Sequence, residues 1–225
     1  MKLALLGRQI SHSKSPLIYK YLFGDSIEYD LLDIRTPEAL PSLASLKKNY
    51  MGINLTTPYK VSYIKEVKIV DPVIKNLQAI NCIKLSGEDF LATNTDYLAL
   101  QEILKDRFLK DHLILLGNGV MANLLITICR EYNISHNHFH RTNGLQEDFD
   151  FAHMSKSQKN TTVINCCSRD FVYNGAGNRE MNFWDMNYSH VPHQSTLPYL
   201  FKSYTDGQEL LWVQARMAIK FWMEK

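Results

Sequence analysis

Along nearly the whole chain, short apolar runs stop at Gly, Pro, Asn or Thr and give way to segments with helical spacing. This alternation constrains the fold more than any other feature. Strands separated by helices pair in parallel, with helices on the sheet faces, so the pattern predicts an α/β fold with a mostly parallel sheet. Strands are expected at Lys2 to Leu6, Ile27 to Ile34 and Met51 to Leu55, then at Ala79 to Leu85 and Phe90 to Thr93 around a short glycine loop. Helices are expected at Pro16 to Phe23 and Pro37 to Lys48, each opened by proline in its first turn, and at Lys60 to Val67 and Asp96 to Phe108.

A second unit starts with the apolar run His112 to Leu116. It continues with a helix over Val120 to Tyr132 and strands at His136 to His140, Thr161 to Ile164 and Met181 to Met186. Helices are expected again at Ser195 to Tyr204 and Gln208 to Met223, and the polar stretch Ser155 to Asn160 reads as a surface loop. A length of 225 residues suits one large domain or two small ones.

The stretch Gly52-Ile-Asn-Leu-Thr-Thr-Pro-Tyr-Lys60 carries the first chemical signal. Pro58 cannot sit inside a central strand, so the strand must end before it. A strand end followed by a helix start is where open α/β sheets hold their ligands. Lys60 there, with Asn54 and Thr56 beside it, reads either as an acid/base group or as a solvated lysine at a helix start.

The second signal is Gly117-Asn118-Gly119 between the strand at His112 and the helix from Val120. Helix N-terminal N–H groups point at phosphate, and glycines let the backbone approach it. Only two of the expected glycines are present, so a plain tight turn reads equally well. Arg141 adds weight to the nucleotide reading. It ends the next strand, where an acidic residue would read the ribose of NAD and an arginine suits the 2′-phosphate of NADP.

Charge and cysteine usage narrow the function classes. The net charge of +2 provides no dense basic face, which argues against a nucleic-acid partner. No apolar run is long enough to span a bilayer, and the N-terminal apolar run meets Arg8 too early for a signal peptide. Cys82, Cys129, Cys166 and Cys167 lie in apolar segments without metal-ligand spacing, as reduced thiols of a cytoplasmic protein would. His136, His138 and His140 would share one strand face, but no carboxylate pattern accompanies them. They are read as an edge or partly exposed strand face rather than a metal site.

Taken together, the motifs resemble the shikimate dehydrogenase family. Ser11-His12-Ser13-Lys14-Ser15-Pro16 is similar to its Ser-x-Ser-Pro motif, and the stretch from Gly52 to Lys60 to its Asn-Val-Thr-x-Pro-x-Lys motif. Ala79-Ile80-Asn81, Asn94-Thr95-Asp96, Asp185 with Tyr188, and Gly207 with Gln214 match further family elements in the same order.

The resemblance implies an N-terminal α/β substrate domain over residues 1–95 and 206–225, and a Rossmann-like NADP domain over 96–205. The C-terminal helix would return to the first domain. It implies NADPH-dependent, reversible reduction of 3-dehydroshikimate to shikimate, in chorismate and aromatic amino acid biosynthesis. Lys60 and Asp96 would be the catalytic pair. Ser13 and Ser15 would hold the substrate carboxylate; Thr56, Asn81, Asp96 and Gln214 would hold the ring hydroxyls, with Tyr188 a further contact. NADP would lie on Gly117, Asn118, Gly119 and Val120, its 2′-phosphate near Arg141 and Thr142. Cys167, Ser168 and Gly207 would border the nicotinamide. No metal is implied, the substrate is the partner, and the protein would be a monomer or homodimer.

Some positions depart from the family pattern. Val120 and Met121 replace Gly-Ala after the glycine turn, and a β-branched Val120 would crowd the pyrophosphate. Tyr97, Gln78, Cys82 and the pair Cys166-Cys167 are further substitutions, and the segment around His190, Pro192 and His193 is longer than usual. The alternative these changes leave is a shikimate or quinate binder with impaired cofactor binding and a regulatory role.

Overall fold

The computed structural model describes residues 1–154 and 160–224. The expected loop at Ser155 to Asn160 falls, except for Asn160, outside the described residues. The chain divides into two compact units, Met1–Ala99 with Leu211–Lys225, and Leu100–Leu210. Sequence alone placed these divisions at 95/96 and 205/206.

The first unit contains β1 (Lys2–Gly7), α1 (Ser15–Phe23), β2 (Glu28–Asp33), α2 (Leu43–Lys47), β3 (Gly52–Leu55), β4 (Lys68–Ile69), α3 (Pro72–Leu77), β5 (Cys82–Lys84) and β6 (Leu91–Thr93). Its six-stranded sheet has the order β2-β1-β3-β5-β6-β4. β1 is parallel to both β2 and β3, whereas β5 runs antiparallel to β3 and β6. The sheet is therefore mixed. The C-terminal edges of β1, β3 and β6 and the start of β5 fall together, which gathers the residues that follow or precede them.

Next come α4 (Thr95–Arg107), β7 (His112–Leu116), α5 (Val120–Glu131), β8 (Ser135–Phe139), β9 (Thr161–Asn165), β10 (Asn182–Asp185), α6 (Val191–Leu200), β11 (Ser203–Thr205) and α7 (Gln208–Met223). The second unit's five strands are all parallel, in the order β11-β10-β9-β7-β8. Its core is rich in rings, with Phe151, Tyr173, Phe183 and Phe201 fully buried.

Helix α7 supplies the first unit with an apolar face. Ala215, Ala218, Ile219 and Trp222 follow helical spacing and pack with Leu3, Ile18, Tyr19 and Cys82. Trp222 Nε1 donates to the Ile83 carbonyl at 2.9 Å. A Cβ at Gly52 would overlap that indole ring, so only glycine lets β3 pass beneath it.

Three expected helices differ. Pro37 to Lys48 is split into a 3-10 turn at Pro37–Ala39 and α2, because Pro41 interrupts it and Ser42 Oγ caps α2 by accepting the Ser45 N–H at 3.2 Å. Lys60 to Val67 forms successive turns rather than a helix. The Lys60 carbonyl accepts Ile80 N–H at 2.8 Å, which diverts it from the helical partner four residues on. Tyr59 and Tyr63 hydroxyls donate to the Ile34 and Pro41 carbonyls and pin those turns. Ser195 to Tyr204 is replaced by α6, opened at Pro192, and by β11, because the chain becomes extended at buried Phe201 and pairs with β10. Helix α3 lies outside the expected elements, although Asp71-Pro72 is a start signal: Asp71 Oδ1 accepts the Val73 and Ile74 N–H groups.

Replacing Gly52 with Ala is expected to destabilise the protein by about 1–3 kcal/mol, the range for overpacking a filled core. Urea denaturation followed by Trp fluorescence measures this; an unchanged midpoint would show that the indole yields freely.

Candidate active site

In the first unit, polar side chains collect at the sheet edge described above. Lys60 Nζ lies 2.6 Å from Asp96 Oδ2, with side-chain exposures of 12% and 14%. Asp96 sits in the first turn of α4, where the helix dipole favours a carboxylate. It is not the cap. Asn94 takes that position, its Oδ1 accepting Tyr97 N–H at 3.0 Å, which leaves both Asp96 oxygens for other partners.

Beside the pair runs a buried hydrogen-bonded chain. Tyr19 and Tyr29 hydroxyls both donate to Asn54 Oδ1, at 3.0 and 2.8 Å. Asn54 Nδ2 donates to the Asn81 carbonyl, and Asn81 Oδ1 accepts the Thr95 N–H at 2.6 Å. Thr95 Oγ1 lies 3.1 Å from Asn81 Oδ1 and 3.2 Å from Gln214 Oε1. Ser13 Oγ lies 3.2 Å from Ser15 Oγ, and Ser15 in turn hydrogen-bonds Tyr29. Thr56 N–H donates to the Leu6 carbonyl, and Gly7 makes room for the Thr56 methyl, which a Cβ would overlap. Ser13, Ser15, Asn81 and Gln214 thus join one network, Thr56 is held at the same strand ends, and Lys60 is tied there through Ile80. Tyr19, Tyr29 and Thr95 were not singled out in sequence, and Asn54 only as a neighbour of Lys60. Thr95 lay inside a quoted motif; the tyrosines carried no local signal.

The second unit holds the other expected residues. Gly117 has φ +105° and backs onto the Cys166 backbone, which a Cβ would meet at 3.0 Å. Its N–H donates to the Phe139 carbonyl, and its carbonyl lies 2.6 Å from His138 Nε2. Gly119 faces open space, and α5 starts there with no side-chain cap. Asn118 is exposed and Val120 is 36% exposed. Arg141 and Thr142 open the turn after β8; Thr142 Oγ1 lies 2.8 Å from His140 Nδ1. Arg141 also lines an open cleft of about 600 Å³ with Glu147, Asp148 and Phe171.

Cys167 and Ser168 follow β9, and the Cys167 N–H donates to Asn165 Oδ1. Burial pushes the Cys167 thiol up to about 11, although the Arg141 guanidinium acts the other way. Burial also raises Cys166, so neither thiol supplies a thiolate at neutral pH. Gly207 packs against the Met186 carbonyl at a spacing that excludes any Cβ. Arg169 donates to the Tyr188 and Ser189 carbonyls and holds that turn. All four cysteines are free, and no metal-holding cluster occurs among the described residues. His136 and His138 lie on the edge strand β8 and His140 just past it, as the exposed-face reading expected. No described helix is long and apolar enough to cross a membrane.

Residues 5–83 match the family model described as the shikimate dehydrogenase substrate binding domain. The NADP(+) shikimate dehydrogenase of Clostridium beijerinckii is 31% identical over 137 residues, covering 58% of this chain and 51% of that protein. The Prochlorococcus marinus MIT 9301 enzyme of the same name is 35% identical over 140 residues, covering 59% and 49%. The similarity is thus to shikimate dehydrogenases, and within residues 5–83 to their substrate binding domain. It spans about half the length of these curated relatives. Among solved structures, shikimate 5-dehydrogenase from Thermus thermophilus, in complex with NADP(H) and shikimate, superposes with a TM-score of 0.76. That match covers 99% of this chain and 93% of the other at 20% identity, and it shows a shared fold.

The longer segment that departs from the family pattern buries two histidines. His193 is fully buried against Asp185, and His190 meets its ring edge-on at 4.5 Å with Nε2 unpartnered. Burial lowers the His190 pKa below the usual 6.5; His193 adds to this, Asp185 opposes it and Arg169 adds to it. A depressed folded-state value makes the neutral form the stabilising one, so this contribution is full above about pH 6.5 and is lost as pH falls below that and through the lower folded-state value. The melting temperature is expected to drop between about pH 7 and 5, with a shallower drop in His190→Phe. Equal slopes by differential scanning fluorimetry would count against this role.

Proposed function

We propose that the protein is an NADP-dependent shikimate dehydrogenase, catalysing the reversible reduction of 3-dehydroshikimate to shikimate in chorismate and aromatic amino acid biosynthesis. The observation that carries the reading is the 2.6 Å Lys60–Asp96 pair, set in a polar network at one sheet edge. It is placed in the cytoplasm as a monomer or homodimer, acting on a small-molecule acid without nucleic acid or membrane.

Residues 1–99 and 211–225 are assigned to substrate and 100–210 to cofactor. Ser13 and Ser15 hydroxyls suit a carboxylate, and Thr56, Asn81, Asp96 and Gln214 suit ring hydroxyls; Tyr188 is assigned a further contact. Lys60 delivers a proton to the alkoxide oxygen formed at the reduced carbon and recovers it in reverse. Asp96 orients the amine and balances its charge.

NADPH, when bound, supplies the hydride. The uncapped start of α5 at Gly119, with open space where a Cβ would stand, fits a pyrophosphate. Val120 is the side chain nearest that position in sequence. Exposed Arg141, with Thr142, fits a 2′-phosphate, and Cys167, Ser168 and Gly207 are assigned to the nicotinamide side. The alternative of a binder without turnover is disfavoured, because a pure binder has no use for a closed amine–carboxylate pair.

Absorbance at the NADPH band with shikimate and NADP tests the reading, with quinate and NAD as comparisons. Turnover is expected, and Lys60→Ala should lower kcat about 10²–10⁴-fold, the usual contribution of a positioned proton donor. Shikimate binding without NADP binding would replace the enzyme by the binder.

A further inference from the structure

The second unit buries a carboxylate that the proposed chemistry does not use. Asp185 is fully buried at the end of β10, where an unpaired charge is strongly destabilising. Instead, both oxygens are met. Oδ1 accepts Asn165 Nδ2, Asn187 N–H and Asn187 Nδ2, each at 3.0 Å. Oδ2 lies 2.6 Å from His193 Nδ1 and 3.5 Å from the Tyr204 hydroxyl.

The histidine tautomer follows from its other nitrogen. The backbone N–H of Tyr173 donates to His193 Nε2 at 3.0 Å, so Nε2 carries no proton. The ring proton sits on Nδ1 and points at Asp185. His193 is thus a neutral donor locked from both sides, with no exposure to solvent.

The two asparagines pass this constraint to one residue. Asn165 Oδ1 accepts the Cys167 N–H at 3.1 Å, and Asn187 Nδ2 donates to the Cys167 carbonyl at 3.1 Å. Both backbone polar groups of Cys167 are therefore held by side chains that Asp185 orients. Ser168 is stiffened in turn, its carbonyl accepting Phe171 N–H at 3.0 Å.

We infer that His193 is a positioning residue: through Asp185, Asn165 and Asn187 it holds the Cys167–Ser168 backbone in the shape that the nicotinamide end of the cofactor meets. The inference rests on the proposed placement of that end beside Cys167 and Ser168. His193 touches neither cofactor nor substrate in this role. Its loss leaves Oδ2, among the described residues, with only the distant Tyr204 hydroxyl, and the carboxylate then competes for its remaining donors.

Three measurements on the full chain test this. Long-range ¹H–¹⁵N spectra of the wild type are expected to show His193 as the neutral Nδ1–H tautomer; an Nε2–H or doubly protonated ring overturns the lock. Hydrogen exchange without ligands is expected to run at least about tenfold faster at the Cys167 amide in His193→Leu. His193→Asn, whose side-chain amide still donates to Asp185, should recover much of that protection and covers the case in which the leucine variant does not fold. Calorimetry should then show NADP binding weakened about tenfold or more in His193→Leu, with shikimate affinity unchanged. Unchanged exchange, or faster exchange with unchanged NADP affinity, overturns the positioning role. Wild-type protein that binds no NADP overturns the proposed function and the cofactor part of this inference, while the tautomer and exchange results still decide the lock.

Discussion

The first unit depends on satisfying buried side-chain amides. Asn54 and Asn81 lie almost fully out of solvent, and an unmet amide there would cost about 1–3 kcal/mol. Each is met by groups from distant parts of the chain: Tyr19 from α1, Tyr29 from β2, Thr95 from the start of α4. Gln214 from α7 joins through Thr95. Strand ends and helix starts are therefore locked to one another by polar contacts that tolerate little displacement. Lys60 and Asp96 hang from that frame, one through the Ile80 N–H bond to the Lys60 carbonyl and the other through the α4 start capped by Asn94.

The second unit applies the same rule around a charge. Asp185 gathers neutral donors from β9, from its own following turn and from α6, and so fixes the backbone after β9. Aromatic packing of Phe151, Tyr173, Phe183 and Phe201 closes the other part of that core. One unit thus orients an amine–carboxylate pair, and the other orients main-chain groups and a glycine turn. These are the two kinds of site that proton transfer and dinucleotide binding require.

Much of this was legible locally. Strand β7 and helix α7 coincide with the expected runs, because four apolar residues in series after His112 and a clean helical stripe leave few alternatives. Where expectation failed, tertiary hydrogen bonds or prolines had intervened. Lys60 begins no helix because Ile80 takes its carbonyl, and the helix expected from Ser195 begins at Val191 and stops for β11 to pair with β10. The β5–β6 hairpin follows the short glycine loop expected between those strands, whereas the antiparallel pairing of β5 with β3 is not contained in strand–helix alternation.

The amino-acid sequence by itself determined the α/β class, most element positions, and the spacing of short motifs, since periodicity and turn chemistry act over a few residues. Only the folded chain decided which of those motifs share a network. Asp96 meets Lys60 across 36 positions and Thr95 meets Gln214 across 119, and no local pattern encodes such partners. The same holds for His193, whose role is invisible until Tyr173 and Asp185 occupy its two nitrogens. The physical reason is burial: once water is excluded, each polar group must find a protein partner, and chain topology, not sequence proximity, determines which one it finds.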